Sequence, residues 1–121
     1  MGESVKLLKL EIFIPESHFH ELQKALQKAD AGHIGNYDSC LTYSRVTGTW
    51  RPLKGSNPFI GTENAISEEE ELKVEVRIKH ENLGSTLREI KRIHLYEELV
   101  INIIPLYRSW DSLIGDSRKQ D

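Results

Sequence analysis

Leu72-Lys73-Val74-Glu75-Val76-Arg77-Ile78-Lys79 alternates an apolar residue with a charged one over eight positions. Successive side chains on a strand point to opposite faces, so this stretch reads as a half-buried strand with one apolar and one charged face. A second stretch of the same kind lies near the amino end, where Leu8, Leu10, Ile12 and Ile14 are apolar and Lys9 and Glu11 fall between them. The charged side of the later strand is therefore expected to lie across from Lys9 and Glu11, with opposite charges helping to set register.

Between and after these strands the period changes. Phe19, Leu22, Leu26 and Ala29 recur at three- and four-residue spacing, the mark of a helix with one buried stripe. Pro15 and Glu16 suit its first turn, and Gly32 with Gly35 suits its end. A strand is expected from Tyr37 to about Val46, carried by Tyr37, Leu41 and Tyr43. Thr47 to Ser67 holds Gly48, Pro52, Gly55, Pro58 and Gly61 and reads as a long shaped loop. Leu83, Leu87, Ile90 and His94 give a second helical stripe, and Leu99 to Ile104 a more continuously apolar last strand. A short terminal helix through Leu106, Trp110, Leu113 and Ile114 completes the reading.

Strand, helix, strand, strand, helix, strand is the order of the ferredoxin-like α+β sandwich, two helices on one face of a four-stranded antiparallel sheet. One domain is expected over 1–121, with a core of about 5–105 and a C-terminal extension of 106–121. In that topology the last strand is an edge. Its run Leu99, Val100, Ile101, Ile103 and Ile104 lacks the charges that protect an exposed edge, so either the C-terminal segment or a neighbouring subunit covers it.

Composition narrows the function classes. A net charge of −3 over 121 residues argues against the basic footprint of nonspecific nucleic-acid binding. Cys40 is the only cysteine, which excludes an intrachain disulfide and suits a reducing compartment. Lys6 and Lys9 interrupt the apolar residues that a signal peptide would need, and Lys6 stands where a myristoylation start wants Ser or Thr. No stretch approaches the ~18 apolar residues of a membrane span. The expected compartment is the cytoplasm, with neither membrane nor nucleic acid as partner.

Three segments together resemble a known family: Gly32 to Cys40 (GHIGNYDSC), Gly48 to Gly61 (GTWRPLKGSNPFIG) and His94 to Leu99 (HLYEEL). They are similar to the YqfO-like family, CutA-like and PII-like domains found alone or inserted in the dinuclear-metal proteins of the NGG-interacting-factor family. The resemblance runs from about Lys6 to Pro105. It departs from the family's His-Pro-Tyr-Glu-Glu-Pro in having Leu95 and Leu99 at both prolines, which loosens the turn. It implies the ferredoxin-like, CutA/PII-like fold and a homotrimer, and implies no established activity. The host proteins' metal-binding domain has no counterpart in these residues.

The loop around Arg51 and Lys54 offers cations, and Gly55, Asn57 and Gly61 offer backbone and amide groups, for a small anion. No glycine is followed by Lys-Ser or Lys-Thr, so it is not a P-loop; a packed structural loop is the alternative. In PII relatives the equivalent loop carries ligand contacts. The chain direction puts this loop and the turn with His94 and Tyr96 at one end of the sheet, while Asn36, Tyr37 and Asp38 fall at the other and join only from a second subunit. His94, Glu97 and Glu98 are candidate ligands for a divalent metal of the copper or zinc kind, with Cys40 a fourth across a subunit boundary. The alternatives are a hydrogen-bonded His94 and a Cys40 that is a small buried hydrophobe. His18, His20, His33 and His80 read as surface residues. No nucleophile elbow, zinc-protease helix or dinucleotide fingerprint occurs, and Glu97 and Glu98 point apart on an extended chain, so catalysis is not expected. The reading is a trimeric binding module of regulatory type for a small anionic ligand. A metal-binding protein or a partner-docking domain is the alternative.

Overall fold

The computed structural model describes residues 5–56, 61–93 and 99–110. Strand β1 spans Leu7–Ile14, helix α1 Phe19–Lys28, strands β2 and β3 Thr42–Trp50 and Ser67–Lys79, helix α2 Leu83–Lys91 and strand β4 Val100–Leu106. One antiparallel sheet has the order β2-β3-β1-β4, so the two alternating stretches form the central pair and β2 and β4 are its edges. This is the expected ferredoxin-like arrangement.

The alternation of β1 and β3 becomes burial. Leu10, Ile12, Ile14 and Val74 are fully buried, and Leu8, Leu72, Val76 and Ile78 are nearly so. They meet Leu22 and Leu26 of α1 and Ile90 of α2 in one core. Burying each such side chain contributes about 1.5–3 kcal/mol, so this layer is the main source of stability. Thr86 is the one buried polar residue among those described, and its Oγ1 donates to the Asn82 carbonyl at 2.7 Å. No helix among the described residues is long and apolar enough to cross a membrane.

Boundaries differ from expectation where a partner strand or a turn overrides local pattern. Pro15 is extended, at φ −57 and ψ 141; a 3-10 turn Glu16–His18 follows, and the α-helix begins only at Phe19. The helix ends before its glycines. Asp30 takes the left-handed position at φ 58, and the Ala31 and Asp30 amides donate to the Leu26 and Gln27 carbonyls, a Schellman closure with aspartate where glycine is usual. Tyr37 is not in a strand: it bridges Ile34 across a tight turn, and Ser39 at φ 59 breaks extension until Thr42. At its other end β2 runs through Gly48 to Trp50, and β3 begins at Ser67 rather than Leu72. The loop therefore shrinks to residues 51–66, because cross-strand pairing outweighs the weak β-preference of glycine and glutamate. Leu106 belongs to β4 rather than to a terminal helix, and Pro105 is accommodated because β4 is an edge. Leu113 and Ile114 of the expected terminal helix lie outside the described residues.

Candidate functional site

The register defines two ends of the sheet. At one end Leu7 pairs with Lys79 and Leu106; at the other Ile14 pairs with Leu72 and Phe13 with Val100. Beyond Ile14 the β2–β3 pairing continues alone, from Val46↔Glu71 to Trp50↔Ser67. At ~3.3 Å per residue, this two-stranded ribbon projects about 15 Å past the sheet.

The ribbon is anchored and shaped by named contacts. Arg45 donates to Glu16 at 2.7 Å, and the Tyr43 ring lies 4.6 Å from that of Phe19, tying its base to the start of α1. The Glu71 side chain lies across Gly48, where a Cβ would stand 2.5 Å from Oε1. Burial pushes the Glu71 carboxyl up from its ordinary value. At the tip the Asn64 amide donates to the Pro52 carbonyl and the Ser56 amide to that of Leu53, folding the loop back on itself around buried Pro52. Gly61, at φ 111, packs against Ser67 and Trp50, whereas Gly55, at φ 92, faces open space. Arg51, Lys54 and Gly55 are all exposed there. The tip is thus a formed loop presenting two cations, above a strand that carries Glu68, Glu69 and Glu70 in exposed positions.

Asn57, His94, Tyr96, Glu97 and Glu98 lie outside the described residues. Leu99, the first described residue after them, packs on the core beside the Phe13↔Val100 pair. Cys40 is neither in the edge strand nor fully buried. It sits half-buried in the α1–β2 loop, its amide donating to the Gly32 carbonyl and its Sγ to the Asp38 carbonyl at 3.7 Å. Among the described residues no group of three or more His, Cys, Asp or Glu side chains is placed to hold a metal. Asn36, Tyr37 and Asp38 are exposed on that same loop, which the Gly32 amide ties to the Arg77 carbonyl, toward the Lys79 end of the sheet and away from the ribbon.

The loop also places His33, exposed as expected, in contacts that the sequence reading did not assign to it. His33 Nδ1 lies 2.9 Å from Asp30 Oδ1 and Nε2 lies 3.0 Å from the Gly35 carbonyl. The hydrogen bond and charge of Asp30, then the Gly35 carbonyl, hold the imidazole above its ordinary pKa. Beside this ring, Leu7, Arg77, Lys79 and Asn82 line a cleft of about 170 Å³. The only sequence signal was the three-residue spacing of Asp30 and His33.

No family model matches the sequence. The chain is 38% identical over 107 residues to the GTP cyclohydrolase 1 type 2 homolog of Halalkalibacterium halodurans, covering 88% of this chain and 29% of that protein. Among solved structures, the Bacillus cereus protein related to NIF3 superposes at a TM-score of 0.75 with 31% identity, over 88% of this chain and 27% of its own. The periplasmic divalent cation tolerance protein CutA of Archaeoglobus fulgidus gives 0.65 with 18% identity over 90% and 92% of the two chains. Bacillus subtilis GlnK, of the PII fold, gives 0.55 with 19% identity over 82% and 85%. These last two likenesses show the fold alone. The chain spans under a third of the length of the longer relatives it matches, and within that span it is a YqfO-like domain of CutA/PII-like fold.

Proposed function

We propose that this chain is a non-catalytic CutA/PII-like binding module of the cytoplasm, which assembles as a homotrimer and takes a small anionic ligand at the tip of the β2–β3 ribbon. The observation that carries the ligand reading is the projection of that ribbon past the sheet with Arg51 and Lys54 exposed at its end, beside the Asn64-to-Pro52 backbone bond. Backbone amides and cations held close together on a loop suit an anion. The glutamates below the tip favour a ligand that reaches the cations from outside.

Assembly is supported by two sheet edges that pair with no further strand among the described residues. Val100 and Ile103 of β4 are 57% and 43% exposed, and the outer edge of β2 carries a single charged residue, Arg45. Pairing one chain's β2 edge with another's β4 edge is a heterologous contact that closes into a ring. The resemblance to CutA and PII proteins supports three as the number of chains in that ring. Light scattering on the full chain is expected to read three times its 13.9 kDa mass; a monomer at high micromolar concentration overturns the assembly.

The ligand reading is tested by a thermal-shift screen with nucleotides, phosphates and divalent metals, because a ligand that prefers the native state raises the melting point. Phosphate-bearing compounds are expected to raise it, and Arg51→Ala with Lys54→Ala to abolish the rise. A folded double variant that keeps the full shift overturns the reading. A shift with divalent metals alone, lost in His94→Ala, favours the competing metal site of His94, Glu97 and Glu98.

A further inference from the structure

We propose that the cleft between the α1–β2 loop and the β3–α2 junction is a second binding site, for a small dianion such as an oxyanion or a short dicarboxylate. It lies at the Leu7↔Lys79 end of the sheet, opposite the ribbon, and does not depend on the ribbon reading. Over the eight residues of β1 the two ends are about 25 Å apart, so a ligand cannot touch both.

The walls of the cleft are fixed by backbone bonds before any ligand arrives. Gly32 donates to the Arg77 carbonyl at 2.9 Å, Cys40 to the Gly32 carbonyl at 3.0 Å, and Ile34 and Tyr37 bond each other at 2.8 and 3.0 Å. On the other side His80 donates to the Lys6 carbonyl at 2.8 Å, holding the start of the second helix against β1. Gly32 must be glycine here: at φ 76, a Cβ would strike the Cys40 carbonyl.

Charge selects the occupant. Arg77 and Lys79 line the cleft from β3, and Lys79 forms no ion pair among the described residues. Both His33 ring nitrogens face acceptors, the Asp30 carboxylate and the Gly35 carbonyl, so both must carry hydrogens for the pair of bonds to form. The clamp therefore favours the imidazolium, in line with the raised pKa of His33. With His33 charged, Asp30 is offset and the net charge of the lining is positive. From its own loop His33 also feels Asp38; β1 contributes uncharged Leu7 and the second helix's cap uncharged Asn82. A volume of about 170 Å³ is below the ~300–1,000 Å³ of sites for drug-sized ligands, which restricts the occupant to a small anion. Losing the His33 proton both releases the clamp and removes a positive charge, so affinity falls as pH rises through its titration.

Sulfate is a suitable probe because its charge is constant between about pH 6 and about pH 8, the range in which histidine titrates. The full chain is titrated with sodium sulfate and with sodium succinate at fixed ionic strength, and backbone amide shifts are followed by NMR. Saturable shifts at His33, Gly35 and Lys79 are expected with one or both anions, together with a weaker affinity for sulfate at the higher pH. Lys79→Ala should weaken binding about tenfold, as loss of a charge-assisted contact does, while Arg51→Ala with Lys54→Ala leaves these shifts unchanged. His33→Gln should remove the pH dependence. Shifts that never saturate in the parent, or that saturate with undiminished affinity in a folded Lys79→Ala variant, overturn the site. Loss of these shifts in the ribbon variant instead assigns the anion to the ribbon, and that also overturns it.

Discussion

Lys9 donates a 2.8 Å hydrogen bond to Glu75 although the residue directly across the ladder from Lys9 is Arg77. Glu11 likewise faces Glu75, and its ion pair with Lys73, at 3.6 Å, is diagonal. The charged faces of β1 and β3 do lie across from each other, but directly opposite charges are alike and attraction runs one step along the diagonal, within reach of long side chains. Burial works against the Glu11 carboxylate, yet the Asn102 amide, Lys73 and Lys9 together hold it below its ordinary pKa.

Glu75→Gln is expected to lower the melting temperature slightly, and by less in about 1 M salt, where the screening length is about 3 Å. Glu75→Lys should lower it more, because it sets a third cation beside Lys9 and Arg77, an effect only partly offset by the Glu11 carboxylate directly across. Thermal melts of both variants at low and high salt check this; equal effects at the two salts would mean that packing, not charge, holds the pair.

Gly32 and Gly35 share a left-handed backbone but not a neighbourhood. A Cβ on Gly35 meets nothing within 4 Å, whereas one on Gly32 strikes the backbone of Cys40. Gly35→Ala should therefore cost only the left-handed penalty of about 1–2 kcal/mol, and Gly32→Ala clearly more than that. Urea unfolding of the two variants is the measurement, and equal losses would contradict the close approach.

His33 makes stability depend on pH in a definite direction. Its folded pKa is raised by Asp30, so the folded state binds the proton more tightly than the unfolded chain does. The stabilisation is full below the ordinary histidine value of about 6.5 and is lost as pH rises through the higher folded value. The urea midpoint of the parent should exceed that of His33→Gln at about pH 6 and converge with it by about pH 9, beyond the usual range of histidine titration. Asp30→Asn should shrink the difference at the lower pH; a difference independent of pH would show that His33 acts only by packing.

The alternations of Leu8 to Ile14 and Leu72 to Ile78, and the stripes through Leu22 and Leu26 and through Ile90, suffice to give element order, faces and fold, because periodicity is a local property of the chain. Arg51, Lys54 and Gly55 were legible as an exposed loop because breakers mark loops whatever surrounds them. Where β2 starts and stops, how far the ribbon projects and where Cys40 sits were decided by tertiary structure. Gly48 stays in a strand because β3 pairs with it and the Glu71 side chain lies across it, while Tyr37 leaves the strand because Ile34 captures it in a turn. The His33 clamp and the cleft beside Lys79 were equally hidden. They join a helix end, a strand end and a helix start that meet only when the sheet forms, and no local pattern encodes contacts so far apart in the chain.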